Sequence, residues 1–358
     1  GLTTHQAVSR LAAALGKRPR DVGYAGLKDA RAVTCQTLSL EHVDPQRIER
    51  LDLPGIRIQW VDRHTNKLKL GHLAGNRFLI KVREVADPSL PRVEAVLAAL
   101  TRRGLPNYFG PQRFGRRGDN AAIGRAALQG QYDRAITLLL GGPRDDEAEP
   151  VRRARELFDR GDYRESAQAW PHGFEAERRA ARTLAQAAGR HERAWRALDW
   201  PSRRLYLSAA QSDLFNRVVA RRIDSLDRLL PGDLACKHVN GAVFVVNDPT
   251  AEQPRADAFE ISPTGPLPGR KMKAPQDQAA ALEAEAFADA GLSPEFFAGT
   301  KGERLDGTRR PLRVRPGEAT AEFQEDDIGP YLQTAFTLPP GSYATVLLRE
   351  ITKTEIRS

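Results

Sequence analysis

The residues that could do chemistry in this sequence begin with an aspartate in a short turn. Lys28 and Asp29 follow two glycines and precede a run rich in β-branched residues, in the stretch GYAGLKDARAVTCQTLSL, residues 23–40. A carboxylate in a turn can accept hydrogen bonds from backbone N–H groups and so hold the turn. It can also act on a substrate as a nucleophile or a proton acceptor. The stretch alone leaves both roles open for Asp29, and Lys28 can equally be a solvated charge.

A second candidate group lies at the start of a predicted strand, in GNRF, residues 75–78. Asn76 and Phe78 are two residues apart, and alternate residues of a strand lie on the same face. Taken alone, the motif is better explained by a turn asparagine followed by a core phenylalanine.

A third group interleaves aromatic residues with arginines in LPNYFGPQRFGRRGDN, residues 105–120. Aromatic planes beside guanidinium groups suit unpaired bases and their phosphates. An ordered loop that packs its aromatic side chains inward would show the same pattern, so both interpretations stand. The residues concerned are Tyr108, Phe109, Phe114, Arg113, Arg116 and Arg117.

The cysteines and histidines indicate neither a disulfide framework nor a metal site. Cys35 and Cys236 are far apart and lack the paired spacing of a zinc ribbon. The seven histidines show no ligand spacing such as H-x-x-x-H. We therefore expect no metal and no cofactor, and the cysteine usage favours a reducing cytoplasm.

The charge of the chain is positive and uneven. The net charge is +9, and residues 1–103 hold 18 Lys and Arg against 10 Asp and Glu. A one-sided positive field favours a polyanion partner, because neutralising phosphates supplies affinity that does not depend on sequence. A general solubility bias would give the same composition, so charge alone does not decide. No apolar run approaches the roughly 20 residues that cross a bilayer, and no secretory signal is recognised, so we expect no membrane association.

The elements that must position these residues are mixed in the first hundred residues. A helix is predicted over residues 3–15, with Thr3 and Gln6 as a capping box. Residues 22–26 and 32–40 are predicted as a hairpin-like pair of strands. Alternating apolar residues predict two more strands, over residues 56–62 and 77–85.

The rest of the chain is predicted to be mainly helical. Apolar residues at a helical period predict a helix over residues 207–223, with Ser208 as its N-cap. The segment 254–275 is dense in Pro and Gly, which predicts a loop. Residues 331–351 are predicted as a strand, a Pro-Gly turn and a helix.

The stretch 23–40 resembles the signature of the TruD family of tRNA pseudouridine synthases, with its glycine, its Lys-Asp pair and its Ala-x-Thr-x-Gln pattern. Four further segments resemble motifs of that family and occur in the family's order. They are GNRF, NYFGPQRFG, LSAAQSDLFN and LPPGSYATVLLRE. The regions 144–200 and 250–325 show little of the family pattern.

The resemblance implies an α+β fold, with a pseudouridine synthase core built on a curved mixed β-sheet with helices. A large, mostly helical α+β insertion, the TRUD domain, would interrupt this core. The core would comprise residues 1–103 and 329–358, and the insertion residues 104–328. Family members begin with a further strand-bearing segment that holds a basic residue near the active site, whereas this sequence begins at the predicted first helix. A basic partner should keep Asp29 charged, and the resemblance does not assign that role to Lys28 or to another residue of this sequence.

The resemblance also implies roles for single residues. Asp29 would be the catalytic aspartate, with Asn76 and Lys28 as supporting residues that bind substrate, and Phe78 would stack on the target base. RNA binding is assigned to the aromatic and arginine segment through Arg113, Arg116, Arg117, Tyr108 and Phe109. The substrate would be a uridine of tRNA, position 13 being the family's best-known target, and the chain would act as a monomer without a cofactor.

Two other classes of function were weighed against an isomerase. A non-catalytic RNA-binding protein or tRNA chaperone on the same fold would need no carboxylate in a cleft that faces phosphates, so the Lys28-Asp29 pair favours the enzyme. An unrelated phosphate-ligand enzyme is disfavoured because neither G-x-x-x-x-G-K-[ST] nor G-x-G-x-x-G occurs.

Overall fold

The computed structural model describes residues 1–85, 89–297 and 305–354. Its backbone divides into two compact units. The first unit comprises Gly1–Arg77 and Pro339–Gly341, and the second comprises Phe78–Leu338 and Ser342–Ser358. The family resemblance predicts different boundaries, with a core of residues 1–103 and 329–358 and an insertion of residues 104–328. That division remains a prediction.

The first unit is built on one helix and one short hairpin. Helix α1 (Thr4–Ala14) begins at the predicted capping box, because the Thr3 side chain accepts from Gln6 N and the Gln6 side chain accepts from Thr3 N. Strand β1 (Val22–Tyr24) pairs antiparallel with β2 (Leu38–Leu40), and helix α2 (Pro45–Glu49) follows. Buried apolar residues of α1 and β1 form a small core, which contains Val8, Leu11, Ala12, Leu15 and Val22.

Two strand predictions in the first unit were wrong in extent. The second hairpin strand covers only Leu38–Leu40 of the predicted residues 32–40, and residues 56–62 form no strand. Only a single bridge, Leu53 to Ile56, lies at the start of that segment. Alternation predicts a buried face, but a strand also needs a neighbouring backbone to complete its hydrogen bonds.

A three-stranded sheet has the order β10 (Gly317–Asp326), β11 (Gly329–Leu338) and β3 (Asn76–Val82), and all of it except Asn76 and Arg77 belongs to the second unit. Helices α3 (Leu90–Arg103) and α13 (Ala344–Thr352) belong to the same hydrophobic cluster as this sheet. The predicted order of strand, Pro-Gly turn and helix in residues 331–351 is confirmed by β11 and α13. The core of this part contains Val93, Leu97, Leu332, Phe336, Val346 and Leu347.

A helical cluster and a second sheet make up the rest of the second unit. Consecutive helices pack around buried residues such as Trp195, Leu207 and Leu214, and α12 (Asp277–Asp289) adds Ala286 and Phe287 to the same cluster. The consecutive helices are α4 (Asn120–Leu128), α5 (Tyr132–Leu140), α6 (Glu149–Asp159), α7 (Tyr163–Ala169), α8 (Glu175–Gln186), α9 (His191–Ala197) and α10 (Trp200–Arg221). The later elements are β4 (Leu105–Pro106), β5 (Leu234–Lys237), β6 (Val243–Val245), α11 (Pro249–Asp257), β7 (Ile261–Leu267), α12 (Asp277–Asp289), β8 (Thr308–Pro311) and β9 (Arg313–Val314). The predicted α+β class is confirmed.

Two further predictions in this unit were wrong. The loop predicted over residues 254–275 contains the end of α11 and all of β7, an inner strand between β5 and β8. Residues 261–266 are all buried, so burial outweighs the low strand preference of Pro and Gly. Ser208 is not an N-cap, because α10 begins at Trp200 and its N-cap is Asp199, whose carboxylate accepts from Ser202 N at 2.9 Å. The Ser208 hydroxyl instead donates to Leu205 O, at 3.0 Å.

Within the described ranges, no helix combines the length and the apolar character that crossing a membrane requires.

Candidate active site

The loop between β1 and β2 carries Asp29 on the surface of the first unit. Asp29 is exposed, and its Oδ1 accepts a hydrogen bond from Arg31 N at 2.9 Å. Its Oδ2 accepts no hydrogen bond from the described residues. The turn-holding role therefore occupies one carboxylate oxygen and leaves the other open to a ligand.

Lys28 is half-buried and is held at two points. Its backbone N–H donates to Thr4 Oγ1 at 2.8 Å, and its Nζ donates to Asn76 Oδ1 at the start of β3. The structure thus brings together Lys28 and Asn76, which lie 48 residues apart in sequence. A lysine anchored in this way is not a freely solvated charge, which removes the simpler interpretation of Lys28.

Thr4 is the residue that sequence reasoning missed. The sequence pattern marks only Thr3, the N-cap, whereas Thr4 is 3% exposed and its hydroxyl accepts from Lys28 N. Two threonines in succession at a helix start are the only signal, and one of them suffices to cap the helix.

Phe78 lies in β3 two residues after Asn76, and both are half-buried in the alternating pattern of that strand. The Phe78 ring stacks on Phe336, with 5.4 Å between ring centroids and 29° between ring planes. Phe336 itself is buried. One side of the Phe78 ring is therefore part of the core of the second unit.

Two aromatic residues of the segment 105–120, Tyr108 and Phe109, pack inward. Asn216 clamps the backbone of Phe109, since its Oδ1 accepts from Phe109 N at 2.8 Å and its Nδ2 donates to Phe109 O at 3.0 Å. The Phe109 ring meets Phe215 edge-on, and the Arg310 guanidinium lies 4.2 Å from the ring centroid. Burial lowers the pKa of Arg310 to about 10. Burial likewise raises the pKa of Tyr108, whose ring lies 4.7 Å from the Arg349 guanidinium.

The three arginines of the same segment have different surroundings. Arg113 Nε donates to Ser212 Oγ at 3.1 Å. Arg117 is paired with Asp119 at 2.8 Å and with Glu147 at 3.2 Å, and its side chain is 16% exposed. Arg116 is exposed, and no described residue forms an ion pair with it. Arg116 is thus the only one of these three arginines that is exposed.

Two cavities among the described residues, one in each unit, are not lined by the predicted site residues. A groove of about 1020 Å³ in the first unit is lined by residues such as Thr4, Gln36 and Trp60, but not by Lys28 or Asp29. A cavity of about 820 Å³ in the second unit is lined by residues such as Leu97, Phe259 and Arg315. Asp29 therefore lies on open surface, where a large substrate can reach it. Among the described residues, no three His, Cys, Asp or Glu side chains cluster closely enough to hold a metal.

Comparisons of the chain with a family model, with related sequences and with solved structures all indicate the same family. The family model for tRNA pseudouridine synthase D (TruD) matches residues 1–351. A tRNA pseudouridine synthase D of Geobacter metallireducens is 50% identical, over 99% of this chain and 86% of that protein. A tRNA pseudouridine synthase D of Geotalea daltonii is 46% identical, over 99% of this chain and 88% of its own length. The crystal structure of a putative tRNA pseudouridine synthase D from Methanosarcina mazei has a TM-score of 0.85 at 28% identity, covering 99% of this chain and 86% of that one.

The match of the family model covers residues 1–351, which include the Lys28-Asp29 loop and the strand and turn near the end of the chain. Family membership therefore rests on the whole fold as well as on the motifs, and the chain belongs to the TruD family of tRNA pseudouridine synthases.

Proposed function

We propose that this protein isomerises a uridine of tRNA to pseudouridine, with Asp29 as the catalytic residue. The observation that carries the proposal is the open carboxylate oxygen of Asp29, held on a turn that Lys28 anchors to Asn76. The family's name supports the substrate and the reaction, and the target position would be uridine 13, as the family resemblance implies.

The reaction needs little from the protein beyond one carboxylate and a place to hold the base. The N1–C1′ bond breaks, the uracil turns, and a C5–C1′ bond forms. The hydrogen on C5 is lost and N1 gains one, so the product has the same atoms as the substrate. The carboxylate either attacks the nucleoside or assists proton removal at the sugar.

The neighbouring residues would hold the substrate. Asn76 and Lys28 are tied to each other, so both present a fixed polar surface beside the turn. Phe78 would stack on the target base. A base that is extruded from the RNA loses the stacking on its neighbours, and stacking on an aromatic side chain offsets this loss by about 1–3 kcal/mol per base. The stacking of Phe78 on Phe336 would keep that platform rigid.

RNA affinity would come from the positive surface of residues 1–103 and from Arg116. Arg117, Arg113, Tyr108 and Phe109 have partners within the protein, so we propose that they mainly hold the segment that presents Arg116. We further propose that the protein acts in the cytoplasm as a monomer and that residues 104–328 form an insertion in a discontinuous catalytic core.

The test is the release of tritium from tRNA that carries [5-³H]uridine, since C5 loses its hydrogen only when the new bond forms. Asp29→Asn keeps an oxygen for Arg31 N but removes the charge, and we expect turnover to fall by roughly 10²–10⁴-fold with RNA affinity within a few-fold. Asp62→Asn is the matched control, because Asp62 is also exposed and accepts the next residue's N–H at 2.7 Å.

Turnover by Asp29→Asn at the wild-type rate would overturn the assignment of Asp29. Tight tRNA binding by the wild-type protein with no tritium release and no pseudouridine in the product would instead favour a non-catalytic RNA-binding protein.

A further inference from the structure

We propose that Thr4 is a positioning residue for the reaction, because its buried hydroxyl holds the backbone of Lys28 and thereby sets where Asp29 lies. This inference rests on the proposed function of Asp29. It concerns a residue outside the family motifs described above, and Thr4 is not suggested to touch the substrate.

Thr4 connects helix α1 to residues on both sides of Asp29 in the loop between β1 and β2. Thr4 is 3% exposed, and its Oγ1 accepts from Lys28 N at 2.8 Å and from Gln36 Nε2 at 3.5 Å. Lys28 precedes the catalytic turn, and Gln36 lies on the limb that returns to β2. One hydroxyl therefore holds Lys28 closely, and it also lies within reach of Gln36 on the other side of the segment that carries Asp29.

The burial and the hydrogen bonds of the Thr4 hydroxyl are not explained by helix capping. The N-cap is Thr3, whose side chain accepts from Gln6 N at 3.2 Å, and Gln6 Oε1 accepts from Thr3 N at 2.9 Å. Thr4 is the first residue of the helix proper, so its side chain is free to accept from elsewhere. The Thr4 hydroxyl therefore stabilises the loop that carries Asp29, and it does not cap the helix.

The loop needs such a tie because strand pairing does not reach it. The ladder of β1 and β2 ends at the pair Tyr24 and Leu38. Beyond that pair, Ala25 O accepts from Gly71 N at 2.9 Å, and Lys28 is held by Thr4 and Asn76. A catalytic group must be held within roughly 0.5 Å of its productive position, and a 1 Å displacement can cost about 10²-fold in rate.

The test compares substitutions that keep and remove the acceptor. Thr4→Val keeps the shape but leaves the Lys28 N–H without its partner. We expect kcat for tritium release to fall on the order of tenfold or more, with KM changed less than about twofold. Thr4→Ser keeps the hydroxyl, so turnover should remain within about threefold of wild type. Backbone amide exchange at Lys28 should quicken in Thr4→Val and stay slow in Thr4→Ser.

Thr3→Ala is the control for a purely structural effect, because it weakens the same helix start without touching the loop. We expect a lower melting temperature and an unchanged kcat. Equal kcat in Thr4→Val and wild type, despite faster exchange at Lys28, would overturn the proposal. Should Thr4→Val fail to fold, exchange at Lys28 in the wild-type protein at the rate of an unprotected amide would also overturn it.

Failure of this inference is distinguishable from failure of the proposed function. If Asp29→Asn keeps its turnover, the assignment of Asp29 fails whatever Thr4 does. If Asp29→Asn is inactive while Thr4→Val is fully active, only the role of Thr4 fails. In the double variant, Thr4→Val should add no further loss to that of Asp29→Asn, because the group that it positions is already gone.

Discussion

Two aspartates, one in each unit, show how the surroundings of a charge decide its use. Asp29 of the first unit is exposed and accepts one backbone hydrogen bond. Asp233 of the second unit is 2% exposed and binds Arg222 through both carboxylate oxygens, at 2.9 and 3.1 Å. Leu230 N donates to the same carboxylate at 2.7 Å. A buried charge requires partners that satisfy it, which leaves Asp233 nothing for a ligand, whereas Asp29 keeps one oxygen open.

The same contrast separates two consecutive arginines. Arg117 is enclosed by Asp119 and Glu147, while Arg116 is exposed without an ion pair among the described residues. Residue type and position along the chain are almost identical in this pair. The difference teaches that a basic sequence motif predicts an interaction surface only where the fold leaves the charges unpaired.

The largest expected effect comes from making the same substitution at both aspartates. Asp233→Asn removes the charge opposite Arg222, which is itself 2% exposed, and should lower the free energy of unfolding by about 3–5 kcal/mol. Asp29→Asn should leave it within about 0.5 kcal/mol, since the residue lies on the surface. Urea unfolding at neutral pH measures both. Equal stability losses in the two variants would contradict the comparison.

Phe78 tests whether a residue can serve the core and the substrate together. Phe78→Leu removes the aromatic plane and should reduce turnover about tenfold or more, because base stacking is worth about 1–3 kcal/mol. Phe78→Tyr keeps the plane and should retain much of the activity. Tritium release and melting temperature are measured for both variants. Full activity of Phe78→Leu with normal melting would leave Phe78 with a core role alone.

The arginine pair allows the next comparison. Arg116→Ala should weaken tRNA binding and flatten the salt dependence by up to about one unit, with little change in stability. Arg117→Ala removes the ion pairs from Arg117 to Asp119 and Glu147 and should lower stability by about 1–3 kcal/mol. Filter binding at several salt concentrations and thermal melting separate the two effects. A steeper loss of binding in Arg117→Ala than in Arg116→Ala would reverse the assignment.

The smallest expected effect concerns an exposed ion cluster. Hydrogen bonds from Arg83 and Lys81 hold the pKa of the Asp326 carboxyl well below its usual range. A lowered folded pKa stabilises the protein above the unfolded value of about 3.9, and this stability is lost as the pH falls through the folded pKa. Asp326→Asn should therefore melt slightly below wild type at pH 7, and the difference should shrink between pH 4 and pH 2. A difference independent of pH would exclude the ion cluster as its cause.

Several features follow from local sequence because their causes are local. The capping box at Thr3 depends on residues three positions apart, and the strand, turn and helix near the end of the chain depend on periodicity and on Pro and Gly. The order of five motifs sufficed to indicate the family, which the comparisons confirm. The catalytic role of Asp29 and the RNA contact of Arg116 remain predictions.

Other features were decided by tertiary structure alone. Apart from the single bridge at Ile56, the strand predicted over residues 56–62 lacks a partner strand among the described residues, and β7 forms in a segment rich in Pro and Gly because it is buried between two strands. No local pattern places Thr4 against Lys28 or Lys28 against Asn76, since these contacts span 24 and 48 residues. Sequence supplies the chemical groups and the local conformations that they prefer. Burial and long-range hydrogen bonds, which depend on the whole fold, decide which charged groups are enclosed and which are left open to a substrate.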